Sequence, residues 1–183
     1  MLLDESGLMT APLLRRSLAP RGKTPVIPQK GSGREKVSVI GALSLSPRRR
    51  KLSLHFQTRV KDSYDNVAVA GFLRQLLRHL RGKIILVWDR APFHRGPGIR
   101  QLLSRTRRLW LEQLPPYAPD LNPVEPLWSW LKWGQFANYA ADSAEWIDIN
   151  LRQKLRAIHR RSKRLRSFFD ASELPFPKGA LPS

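Results

Sequence analysis

The chain has 183 residues, enough for one core-bearing domain and an appendage. Its 33 Lys and Arg against 14 Asp and Glu give a formal charge of +19, which points to a polyanionic partner, with DNA or a structural RNA first. With no Cys there is no disulfide framework and no thiolate zinc site, and no apolar run approaches the length of a membrane span.

Met1–Leu3 is an apolar stub that runs into Asp4, as if a strand were already under way. The acids so close to the start rule out a secretory signal and imply a cytosolic protein. Asp4 and Glu5 are adjacent, and neighbours on a strand face opposite ways, so only one can face a shared site. The alternative is two acids at a fraying terminus. Pro12–Gly33 is rich in Pro, Gly, Arg and Lys without periodicity. It reads as a long basic loop with at most a short strand, in which Arg15, Arg16, Arg21 and Lys23 grip phosphates or are simply solvated. Lys36–Leu45 and Leu52–Thr58 read as an antiparallel hairpin, with Arg49 and Arg50 in the charged turn between them. His55 fits a half-buried strand position.

Asp65 or Asn66 caps a helix to about Arg81, with Val69, Phe72, Leu73, Leu76, Leu77 and Leu80 on one face and Gly82 at its end. Lys83–Asp89 is a strand. Its apolar run Ile84–Trp88 predicts burial on both faces, hence a central, parallel strand. Asp89 falls at the carboxyl end of that strand, where open α/β sheets place their chemistry. An acid there is costly to bury unless it is paired or bound to metal. Ala91–Gly98 is a loop, Ile99–Ser104 a short helix and Leu109–Leu114 a strand.

Leu114–Lys132 reads LPPYAPDLNPVEPLWSWLK. Its prolines stiffen the approach to a helix capped by Asn122, with Pro123 at the first helical position. Glu125 then lies in the first turn, and Val124, Leu127, Trp128 and Leu131 form a buried face. Two readings of Glu125 stand side by side: the far end of a capping box, or a functional acid. Ser143 caps a last long helix whose stripe is Ile147, Leu151, Leu155, Ile158, Leu165 and Phe169. Its other face carries a run of Lys and Arg that binds phosphates or is solvated.

The stretch PPYAPDLNPVEPLWSWLK, together with ILVWDRAPFH at Ile85–His94 and DESG at Asp4–Gly7, resembles bacterial insertion-sequence transposases related to the mariner superfamily, the DDE endonuclease group. The resemblance runs from Asp4 to about Phe169. It implies an α/β fold with a ribonuclease-H-like mixed sheet flanked by helices. Asp4 would end the first strand, Asp89 the neighbouring parallel strand, and Glu125 would come in from a helix. Residues 1–142 would be the catalytic domain, 143–170 a C-terminal basic amphipathic helix packed on it, and 171–183 a flexible tail.

The resemblance also implies chemistry. Asp4, Asp89 and Glu125 would be the catalytic and metal-binding acids, holding two Mg2+ ions, with Mn2+ able to substitute. Water would hydrolyse the element's ends, and the freed 3′-hydroxyl would then attack target DNA. Arg15, Arg16, Arg49, Arg50, Lys132, Arg156, Arg160 and Arg164 would contact DNA. His94 matches a His common in the family; it would touch DNA, order the site or only pack in its loop. Arg90 departs from the family, which often has Asn beside the second Asp. Nothing corresponds to the family's N-terminal helix-turn-helix, so that region is expected to be separate or missing. A homodimer on element ends and target DNA is expected, in the cytoplasm at the nucleoid and away from membranes. Two other functions fit the same residues: a non-catalytic basic nucleic-acid-binding remnant, and a different ribonuclease-H-like nuclease such as a junction resolvase.

Overall fold

The computed structural model describes residues 1–28, 34–46, 51–159 and 161–175. Five strands make one sheet: β1 (Leu2–Met9), β2 (Lys36–Ser46), β3 (Lys51–Val60), β4 (Ile84–Trp88) and β5 (Leu109–Gln113), in the order β3-β2-β1-β4-β5. The expected hairpin is present as β2 and β3, antiparallel to each other, and β1 is antiparallel to β2. β4 runs parallel to both β1 and β5, so the sheet is mixed, as expected.

Helices cover both faces because the strands alternate. Leu3, Ile40 and Ala42 point to the side where α1 (Asn66–His79) and α2 (Pro97–Ser104) bring Val69, Phe72, Leu73 and Ile99. Leu2, Leu8, Leu43 and Leu54 point to the side of α3 (Val124–Ser129), α4 (Ala144–His159) and α5 (Ser162–Asp170). Two cores therefore sandwich the sheet, and an inward-facing polar residue on β1 meets one of them. No helix among the described residues is long and apolar enough to cross a membrane.

Asp65 caps α1, accepting a hydrogen bond from the Ala68 N–H at 2.8 Å. The helix stops at His79, earlier than the expected Arg81. The Arg108 guanidinium donates to the Leu77, Leu80 and Gly82 carbonyls and so closes the end of the helix.

The structure corrects several expectations. β1 continues to Met9, so Asp4 sits inside the strand and does not end it. β4 is parallel and internal, but Ile85 is 60% exposed beside its strand partner Trp110, because no helix among the described residues covers that part of the sheet. The expected loop after β4 holds a 3-10 turn at Pro92–Arg95, and α2 begins at Pro97. The single long C-terminal helix is two helices. Arg161, non-helical at ψ 83°, precedes α5, whose Leu165, Phe168 and Phe169 enter the core. Among the described residues of the basic loop, only Leu13 makes a strand-like bridge, to Ala137. Arg49, Arg50, Arg160 and most of the expected tail lie outside the described residues.

Candidate active site

Asp4 lies opposite Gly41 on the neighbouring strand and is only 8% exposed. Its carboxylate Oδ2 accepts a hydrogen bond from the indole Nε1–H of Trp128 on α3, at 2.9 Å. Trp128 reaches it with its benzo ring packed directly against Gly41. A Cβ at residue 41 would stand 2.7 Å from Trp128 Cη2, so a side chain there would displace the indole. Burial, then the charges of Glu125 and Glu5, raise the Asp4 pKa to about 8; the Trp128 bond opposes them and Asp89 adds to them. No cationic side chain compensates this carboxylate among the described residues.

Asn122 ties α3 to β1 at the same level. Its Oδ1 accepts from the Val124 N–H at 3.2 Å, and its Nδ2 donates to the Leu3 carbonyl at 3.3 Å. This sets the direction from which Glu125 arrives. A capping box would require Glu125 to accept from the Asn122 N–H. That N–H donates instead to the Pro119 carbonyl, and the Glu125 carboxylate makes no hydrogen bond among the described residues. The capping-box reading of Glu125 is thus removed. Glu125 is exposed, in a groove of about 590 Å³ lined also by Arg15, Asp120, Ser129, Trp130 and Trp133.

Asp89 follows β4. Its Oδ1 lies 2.9 Å from His94 Nδ1 and accepts from the Ala91 N–H at 3.0 Å. The His94 bond, against a desolvation cost and with help from Ala91, holds its pKa below the usual carboxylate range. His94 stacks on Trp88 with ring centroids 4.1 Å apart, and its Nε2 lies 3.1 Å from Glu5. Burial alone would lower the His94 pKa, but Asp89 and Glu5 outweigh it and raise it to about 9. The imidazolium therefore donates to both acids at once. At 3% exposure it is turned to Asp89 and Glu5 and not to solvent.

The fold thus brings Asp4, Asp89 and Glu125 near enough for the other two to raise Asp4. It does not close them on one point: among the described residues no three His, Asp or Glu side chains form a group that could hold a metal ion. Asp4 is turned to Trp128 and Asp89 to His94. The donor set is nonetheless all carboxylate, with one buried acid uncompensated, which suits a hard divalent cation better than zinc.

Arg15 donates from Nη1 to the Trp133 carbonyl, which fixes it beside Glu125. Arg16, Arg156 and Arg164 are exposed, and Arg164 stands 5.0 Å over the Trp130 ring. Lys132 does not line the groove of Glu125. After α3 the backbone winds as a π-helical turn over Trp130–Gln135, with the Phe136 N–H bonded to the Leu131 carbonyl at 2.9 Å. The slower rotation carries Trp133, not Lys132, into the groove of Glu125. Arg90 donates to the Leu114 carbonyl at 3.3 Å, away from Asp89.

Glu5 was set aside as the oppositely facing neighbour of Asp4, yet it holds His94 and acts on Asp4; Gly41, Asn122 as a tether and Trp128 as a donor carried no such reading. Gly41 had a signal: a glycine inside a strand often marks a close approach. Trp128 stands one turn after Glu125, but nothing in the pattern says which strand residue its N–H meets.

The family model for DDE superfamily endonuclease matches residues 1–147. No curated protein matches the chain in sequence. Among solved structures, the Mos1 transposase paired-end complex with left transposon end aligns at TM-score 0.61 and 17% identity, over 94% of this chain and 55% of that one. A pre-cleavage Mos1 transpososome aligns at 0.62 and 16%, over 96% and 56%. The mariner Mos1 paired end complex with Mg aligns at 0.59 and 18%, over 96% and 56%. The shared fold is the ribonuclease-H-like one, and the chain spans about half the length of these chains.

Proposed function

Because the chain belongs to the DDE superfamily endonucleases, we propose that it is the catalytic domain of a mariner-related bacterial insertion-sequence transposase, cutting DNA phosphodiesters and joining the freed ends to a target. The observation that carries this reading is Asp4: a carboxylate inside a core strand, with three further acids, Glu125, Glu5 and Asp89, around it and no cation paired with it. Such a group is costly to keep unless it serves a ligand that supplies positive charge.

Asp4, Asp89 and Glu125 would hold the metal, two Mg2+ ions with Mn2+ as a substitute. Bound there, the ions would stabilise charge on the attacking and leaving oxygens of the phosphodiester. The protein's own groups do the rest. His94 holds the Asp89 carboxylate from one side, Asn122 fixes where Glu125 enters, and Arg15 stands in the same groove to meet a phosphate. The exposed cations of α4 and α5, within the 143–170 region, give the DNA backbone a place to lie. The partners of this reading are element ends and target DNA, a second copy of the chain, and a helix-turn-helix region on a further segment or polypeptide. Its place is the cytoplasm, at the nucleoid.

If that surface binds backbone, Arg156→Ala and Arg164→Ala should each weaken DNA binding alike for all sequences. Each should also lower the slope of log affinity against log salt by about one. Fluorescence anisotropy over a salt series checks this, and an unchanged slope counts against the surface.

A second reading, a DNA-binding remnant without catalysis, draws on the three acids not closing on one point. Nicking of supercoiled DNA in Mg2+ or Mn2+ separates the two. Binding with no cleavage in either metal leaves the remnant.

A further inference from the structure

We propose that Trp128 is a positioning residue for Asp4: its indole N–H holds one carboxylate oxygen and leaves the other for a divalent cation, and Gly41 exists as glycine to make room for it. This rests on the reading of Asp4 as a metal-binding acid.

Four observations carry it. The Trp128 Nε1–H to Asp4 Oδ2 bond joins residues far apart in sequence, on α3 and β1, and is buried. Trp128 is 2% exposed, so the bond cannot be exchanged for one to water. Asp4 Oδ1 has no hydrogen bond among the described residues. Gly41 is the strand partner of Asp4, and an added Cβ would collide with the benzo ring of Trp128 at Cη2 and Cζ2.

The chemistry suits the role. A carboxylate on a short stem can turn about its last torsion, and a cation needs it in one orientation. A lysine or arginine would fix it too, but would also neutralise the charge that attracts the cation. An indole N–H is a neutral donor with no acceptor, so it fixes the group and leaves its charge in place. The same indole also carries the position of α3, and with it Glu125, to Asp4. One side chain thus couples the orientation of the first acid to the placement of the third.

The test uses the full chain and Mn2+ alone, followed by calorimetry or by loss of the free-ion paramagnetic signal. Trp128→Phe keeps a ring in the core and removes only the donor and the benzo extension. It should weaken Mn2+ binding by roughly 5- to 10-fold. Its melting temperature in EDTA should stay within a few degrees of wild type. Gly41→Ala should weaken Mn2+ binding similarly by pushing the indole off. The double variant should be no worse than Trp128→Phe, because phenylalanine lacks the atoms that collide. Asp4→Asn serves as the reference. If Asp4→Asn loses Mn2+ while Trp128→Phe and Gly41→Ala bind as wild type, the positioning role is overturned and the metal site stands. If Asp4→Asn binds Mn2+ as wild type, the metal-site reading falls, and this inference with it. Should Trp128→Phe fail to fold, Gly41→Ala alone decides.

Discussion

Asp89→Ala and Glu125→Ala should each lower Mg2+-dependent nicking by about 10³-fold, some 4 kcal/mol of barrier. The size follows from the role. If each carboxylate holds a cation that offsets charge at the reacting phosphate, removing one carboxylate leaves that charge uncovered. Both residues are exposed, so neither change opens a cavity, and melting temperatures should move by no more than a few degrees. Asp120→Ala is the control. It lines the same groove as Glu125 but is not one of the acids that raise Asp4, and should nick at close to the wild-type rate. Gel assay of supercoiled plasmid in Mg2+, beside a melt of each variant, is sufficient. Variants that keep wild-type nicking would remove the three-acid mechanism.

Asp4→Asn should do two opposite things: abolish nicking and make the metal-free protein more stable. The Asp4 pKa is about 8 in the folded chain against 3.8 for a free side chain. Between those values the folded state binds a proton that the unfolded state has lost. Stability must therefore fall as pH rises through that window, by up to about 1.4 kcal/mol per pH unit. Asparagine keeps the shape, still accepts from the Trp128 N–H and never ionises. The gap in melting temperature between variant and wild type, in EDTA, should thus widen from pH 5 to pH 8. His94 adds its own loss of stability as pH rises from its free value of 6.5 towards about 9, but it does so in both proteins and cancels in the difference. Parallel curves for the two proteins would mean that Asp4 is not a suppressed acid.

Much of this was legible in the sequence because it depended on local rules. Alternation and turn chemistry gave β2 and β3, helical spacing gave α1, and an apolar run ending in an acid gave β4 and Asp89. The Asn-Pro start put Glu125 in the first turn of α3, where it lies, although the helix begins at Val124 with Pro123, not Asn122, at the cap position. What failed was decided by contacts between distant segments. Ile85 was expected inside because Ile84–Trp88 is unbroken, yet burial needs a second layer, and no described helix reaches that part of the sheet. The break near Arg161 carries no Pro or Gly to announce it, and Phe168 and Phe169 beyond it are buried in the core. The π-helical turn after α3 brings Trp133 to the groove of Glu125, and no local pattern signals that turn. The bond of Trp128 to Asp4 crosses most of the chain, and no local pattern encodes it.

The thin side of the sheet makes the three acids unequal in the face of heat. Asp4 is clamped in a strand covered above and below, and Glu125 rides on a helix wedged into the larger core. Asp89 hangs from β4, whose outer neighbour β5 is an edge with Trp110 half in water. Warming should loosen that edge first, and the second acid would drift while its companions hold their places. Softening of the site would then begin well before the molecule melts, and at one known corner.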